Sequence, residues 1–79
     1  MNIYTTEFFA FCPVNEVRIK YTLRIESETM IKVEDIIDEV TLHQRGFHEE
    51  IADQLHRVFG GMQKLNANHH GVDIETLRK

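Results

Sequence analysis

Between residues 17 and 26 apolar and polar side chains alternate without interruption. Val17, Ile19, Tyr21, Leu23 and Ile25 fall on one face, and Arg18, Lys20, Thr22, Arg24 and Glu26 on the other. A period of two predicts a half-buried antiparallel strand whose second face is wet. Residues 3–11, mixed apolar and Thr, read as a strand before it. Pro13 ends that strand, because proline has no backbone donor and cannot continue a central ladder. Asn15 and Glu16 suit the turn that follows.

The period then changes. Val33, Ile36, Ile37 and Val40 recur at helical spacing, so residues 31–43 read as a helix. Phe47, Ile51, Leu55, Val58 and Phe59 form a second helical stripe that starts after Gly46 and stops at Gly60-Gly61. Residues 62–68 and 72–77 are weaker strands joined by a tight connection near His69, His70 and Gly71. Met30 and Met62 are expected to fill core. The order β-β-α-α-β-β predicts an α+β fold, a four-stranded antiparallel sheet with both helices on one face.

Size narrows the picture. The 79 residues make one domain, 1–79, with no linker or repeat, and a chain this short buries a modest share of its unfolded surface. One cysteine excludes an internal disulfide, and the Cys and His spacings give no zinc-finger pattern. Self-association is then the expected stabiliser. Nine basic against thirteen acidic residues, a net charge of −4, argue against nucleic acid or an anionic membrane as partner. No apolar run reaches membrane-spanning length, and no basic flank precedes an apolar signal core, so a cytoplasmic setting is expected.

The chemistry is concentrated in two places. Cys12 lies where the first strand must stop, and Phe47-His48-Glu49-Glu50 opens the better amphipathic helix. A thiolate at Cys12 can attack a nitrile or amidine carbon if its pKa is lowered, whereas a free cysteine is also a common core residue. The Glu49 carboxylate can accept two hydrogen bonds from the N–H edge of a purine or pterin, or, like Glu50, complement the helix dipole. His48 can orient or protonate a substrate. His69 and His70 are adjacent, and in a strand they would point to opposite faces. No metal site is expected.

A four-stranded open sheet also has two edges, which must be blunted, covered or paired. Pairing edge to edge with copies of itself closes a barrel, and the polar face carrying Arg18, Lys20 and Arg24 would then line a basic tunnel. In element order and size this resembles the tunnelling fold, or T-fold. That fold is shared by GTP cyclohydrolase I, dihydroneopterin aldolase, pyruvoyl-tetrahydropterin synthase and 7-cyano-7-deazaguanine reductase. Within that group the residues resemble the last, the nitrile reductase of queuosine synthesis, over residues 7–76. Phe8-Phe9-Ala10-Phe11-Cys12-Pro13 is similar to its nucleophile-bearing Phe-x-x-x-Cys-Pro strand end. Phe47-His48-Glu49 is similar to its substrate-anchoring Phe-His-Glu, and His70-Gly71-Val72-Asp73-Ile74 to the Gly-Gly-Ile-Ser-Ile of its last hairpin.

The resemblance implies Cys12 as nucleophile, His48 as a further catalytic residue, Glu49 as base anchor, a homo-oligomer, and NADPH as cofactor. Two positions depart from it. The family's proton donor, seven residues after the cysteine, is Ile19 here, and its lysine-containing nicotinamide signature falls on Val33-Glu34-Asp35-Ile36-Ile37-Asp38, which has no lysine. The residues thus leave two readings open. One is an enzyme acting on a deazapurine, purine or pterin; the other is an oligomeric binding protein for such a base or its nucleotide that has lost the reductase chemistry.

Overall fold

In the computed structural model, which describes residues 1–79, the chain runs β1 (Asn2–Phe11), β2 (Arg18–Ser27), α1 (Val33–Leu42), α2 (His48–Phe59), β3 (Met62–His69) and β4 (Val72–Arg78). The strands form one antiparallel sheet in the order β1-β2-β3-β4. Phe8 faces Tyr21, Ala10 faces Ile19, and Leu23 faces Leu65 across the ladders. These inward positions supply most of a single cluster of 14 buried residues, which the helices complete with Ile36, Val40, Ile51, Ala52 and Leu55. The alternation read along β2 is therefore the face the helices cover.

The helices use less of their apolar stripes than the spacing implied. Ile36 and Val40 are buried, but Val33 and Ile37 are half exposed, as are Phe47 and Val58 beside buried Ile51 and Leu55. Neither helix has a side-chain N-cap, and acidic pairs in the first turns, Glu34-Asp35 and Glu49-Glu50, complement the N-terminal dipoles instead. Helix α2 stops at Gly60, at φ 64°, whose N–H donates to the His56 carbonyl. Gln63, buried on β3, donates its side-chain N–H groups to the carbonyls of Leu55 (3.1 Å) and Gly60 (2.8 Å), tying the end of α2 to the sheet.

Three expectations need correction. Met30 and Met62 do not fill core: Met30 lies in the connection before α1, and Met62 stands opposite Glu26 on the uncovered face while Gln63 takes the inward position. The sheet's polar face is ion-paired rather than simply basic. Lys20 meets Glu7 (2.9 Å), Lys64 meets Glu75 (3.4 Å), and Arg24 meets Glu26. His69 and His70 do not diverge to opposite faces. His70 and Gly71 form the two-residue β3–β4 turn with φ of 55° and 87°, and the bend leaves the two imidazoles 4.6 Å apart. No helix is long and apolar enough to cross a membrane.

Candidate functional site

Cys12 follows β1 directly and closes the turn into β2. Its N–H donates to the Val17 carbonyl and its own carbonyl accepts from Glu16 N–H, both at 2.9 Å, while Asn15 Oδ1 accepts from Val17 N–H at 3.1 Å. The turn needs Glu16 in the left-handed region, at φ 60°. Its carboxylate takes a two-pronged hydrogen bond from Arg45, and that guanidinium holds the Glu16 carboxyl below its ordinary range.

This clasp joins two distant parts of the sequence. The segment before α2 also runs alongside the end of β1: Phe11 N–H donates to the Gln44 carbonyl (2.8 Å), and Gly46 N–H donates back to the Phe11 carbonyl (3.2 Å). Phe11 and Arg45 form a parallel bridge. The chain entering α2 is thus stitched to the strand that ends in Cys12, and Phe47-His48-Glu49 is delivered beside the thiol.

The result is a cleft of about 400 Å³ whose walls include Cys12, Ile19, Tyr21, His48, Glu49 and His69. All three residues singled out from the sequence therefore meet in one concavity. Cys12 is buried, at 5% exposure, whereas Glu49 is exposed. His48 Nε2 lies 3.1 Å from the Leu65 carbonyl and donates its proton there, which leaves Nδ1 of the neutral ring as an acceptor. Nδ1 is buried and finds no hydrogen-bond partner within the protein, a situation that costs about 1–3 kcal/mol. Burial pushes the His48 pKa down. Arg78 and His69 act in the same direction, while the Leu65 carbonyl and Glu49 oppose it.

Tyr21 stacks on Phe8 at 5.2 Å and meets the His48 ring at 5.4 Å. Burial raises its pKa, and a charge on nearby Cys12 would raise it further, so the phenol is protonated at neutral pH. Sequence reasoning missed Tyr21 and His69 as members of the site. A tyrosine inside an otherwise aliphatic inward stripe was the available signal for the first; nothing local marked the second. No group of three or more His, Cys, Asp or Glu side chains is arranged to hold a metal ion.

No protein-family model and no curated protein matches the chain. Among solved structures it is similar to the crystal structure of the archaeosine synthase QueF-Like in the apo form, with a TM-score of 0.65 and 16% sequence identity. The match covers 98% of this chain and 89% of that chain. At that identity the likeness speaks for the fold. The chain has the T-fold, a four-stranded antiparallel sheet backed by two helices in the order β-β-α-α-β-β. That neighbour is a synthase, so the likeness does not single out nitrile reductases within the fold.

Proposed function

We propose that this protein is a T-fold enzyme that binds a deazapurine, purine or pterin in the Cys12 cleft, with Glu49 as the anchor of the base and Cys12 as the nucleophile. One observation carries the reading: Cys12, His48 and Glu49, spread over 38 positions of sequence, line a single cleft. The carboxylate of Glu49, an acceptor only, suits the paired N–H edge of such a base. The name of the solved neighbour, an archaeosine synthase, and the resemblance to the reductase of queuosine synthesis favour the modified-deazapurine branch of this ligand class.

The step we assign is addition of the Cys12 thiol to the nitrile of 7-cyano-7-deazaguanine. A sulfur–carbon bond forms, one π bond of the nitrile breaks, and the thiol proton ends on the nitrogen. The product is a thioimide, and no reductant is consumed. His48 lines the cleft and its buried Nδ1 has no partner in the protein, so this acceptor is suited to carry that proton. Reduction is not part of the proposal. Ile19, buried, is hydrocarbon where the reductases keep an acid, and the first turn of α1 presents Glu34 and Asp35, which repel a nicotinamide phosphate. The residues present do not fit NADPH.

Intact-mass measurement with 7-cyano-7-deazaguanine tests the step. An adduct with near-UV absorbance should form on the wild type and be absent from Cys12→Ala. Binding without an adduct would establish the second reading, a catalytically silent base-binding protein, which the 5% exposure of Cys12 favours. In either reading Glu49→Ala should weaken base binding by roughly tenfold to a hundredfold, the worth of hydrogen bonds to a charged group. Calorimetric titration reads this directly, and normal binding by the variant would put the anchor elsewhere. We further propose that copies of the chain associate through their free sheet edges, which would set this cleft near a neighbouring subunit.

A further inference from the structure

Three polar side chains surround the β3–β4 hairpin, and two are satisfied. His70 Nε2 accepts from the Asn15 side chain at 2.7 Å; Asn68 donates to Asp73 (2.8 Å) and accepts from Gly71 N–H (3.0 Å). His69 differs. It continues the inward row of β3 after Gln63, Leu65 and Ala67, it lines the Cys12 cleft, and its Nε2 is buried with no partner in the protein. Two of the other polar groups of the cleft offer a ligand no donor. Glu49 can only accept, and His48 Nδ1 can only accept because its Nε2–H is committed to Leu65. A ligand held by these two groups satisfies its N–H edge, and its ring carbonyl must then find a donor among the Tyr21 hydroxyl, the Cys12 thiol, a weak donor, and the unpartnered His69.

We propose that His69 is a specificity-determining residue: its Nε2–H donates to the ring carbonyl that flanks the N–H edge held by Glu49, so the cleft selects lactam bases of the guanine type. The inference rests on the base-binding reading above. A neutral imidazole holds one proton and can place it on either nitrogen, so His69 supplies the donor with no change of charge. The unpartnered atom in the free protein becomes a partnered one in the complex, and a base with no oxygen at that position gains nothing from it.

Guanine and 6-thioguanine test this, because they share the N–H edge and differ only in the acceptor atom. Calorimetric titration of the wild type should show a preference for guanine. His69→Phe, which keeps a ring beside His70, should weaken guanine binding about tenfold, the worth of one buried hydrogen bond, and leave 6-thioguanine nearly unchanged. His69→Gln, whose amide can donate from a similar reach, should retain much of the preference. If His69→Phe fails to fold, His69→Asn, whose amide falls short, carries the same expectation. Equal weakening of both bases, or an undiminished preference for guanine, would overturn the assignment while leaving base binding intact. A wild type that binds neither base would overturn the base-binding reading itself, and the role of His69 with it.

Discussion

His48 links the chemistry of the cleft to the stability of the fold. Its ring is held neutral chiefly by burial, so its folded pKa lies below the ordinary histidine value of 6.5. The unfolded chain therefore takes up the proton first as pH falls, and the folded state loses stability across the window between 6.5 and the lower folded value. Above that window the contribution is fully present. Urea midpoints compared at about pH 7.5 and about pH 5.5 should fall more for the wild type than for His48→Gln, which carries no titrating group. A variant with the same pH dependence would show that the ring titrates as freely as in solution. At this scale the sequence was legible where a short motif carried the chemistry: Cys12 before Pro13, and His48-Glu49 after Phe47. Tyr21 and His69 were illegible as site members, because their membership depends on the registers of β1 with β2 and of β2 with β3, and no local pattern encodes those registers.

The elements themselves were readable because each has a clean period and clear punctuation. The alternation of β2 and the stops at Pro13 and Gly60-Gly61 correspond to observed boundaries within a residue or two. What the periods did not reveal is how far each apolar stripe is covered. Val33, Ile37, Phe47 and Val58 match the helical spacing yet stay half exposed, since two short helices over four strands cannot shield every stripe position. Gly61 is held more tightly by its surroundings than the chain's other glycines. It takes φ 70°, and a Cβ there would run into the Glu26 carbonyl oxygen of the neighbouring strand. Gly71 also takes a positive φ, 87°, but has open space around it. Gly71→Ala should thus cost about 1–2 kcal/mol for conformation alone. Gly61→Ala should cost roughly 3 kcal/mol or more, because the backbone must also move. Thermal unfolding should show a drop of at least about 10 °C for Gly61→Ala and a clearly smaller one for Gly71→Ala. Equal drops would mean that Gly61 is required for its dihedral angles and not for the close approach to β2.

At the scale of the whole molecule the sheet ends in two edge strands, β1 and β4. Only 17 of 79 residues are buried, and Ile3, Phe9 and Phe11 on β1 remain exposed, so the lone chain leaves much apolar surface in water. The edge of β1 is closed over one residue, where Phe11 exchanges hydrogen bonds with Gln44 and Gly46. Those bonds also reveal which backbone groups of β1 face outward. In an antiparallel strand the groups of alternate residues point to the same side, so Phe9, Glu7, Thr5 and Ile3 share the outward direction of Phe11, while the residues between them bond to β2. An edge-paired assembly must use those outward groups. Thr5→Pro removes one of them without taking a donor from the β1–β2 ladder, and proline is tolerated at a sheet edge for that reason. Light scattering should give the wild type a mass that is a multiple of 9.3 kDa, and Thr5→Pro should shift it toward the single chain while its circular dichroism stays that of the fold. Thr6→Pro, one residue along, strikes the internal ladder and should unfold the protein instead. A wild type that stays at 9.3 kDa would remove edge pairing as the source of stability. An assembly indifferent to Thr5→Pro would move the interface to β4 or to the helical layer, and the Cys12 cleft would then have to function within one chain.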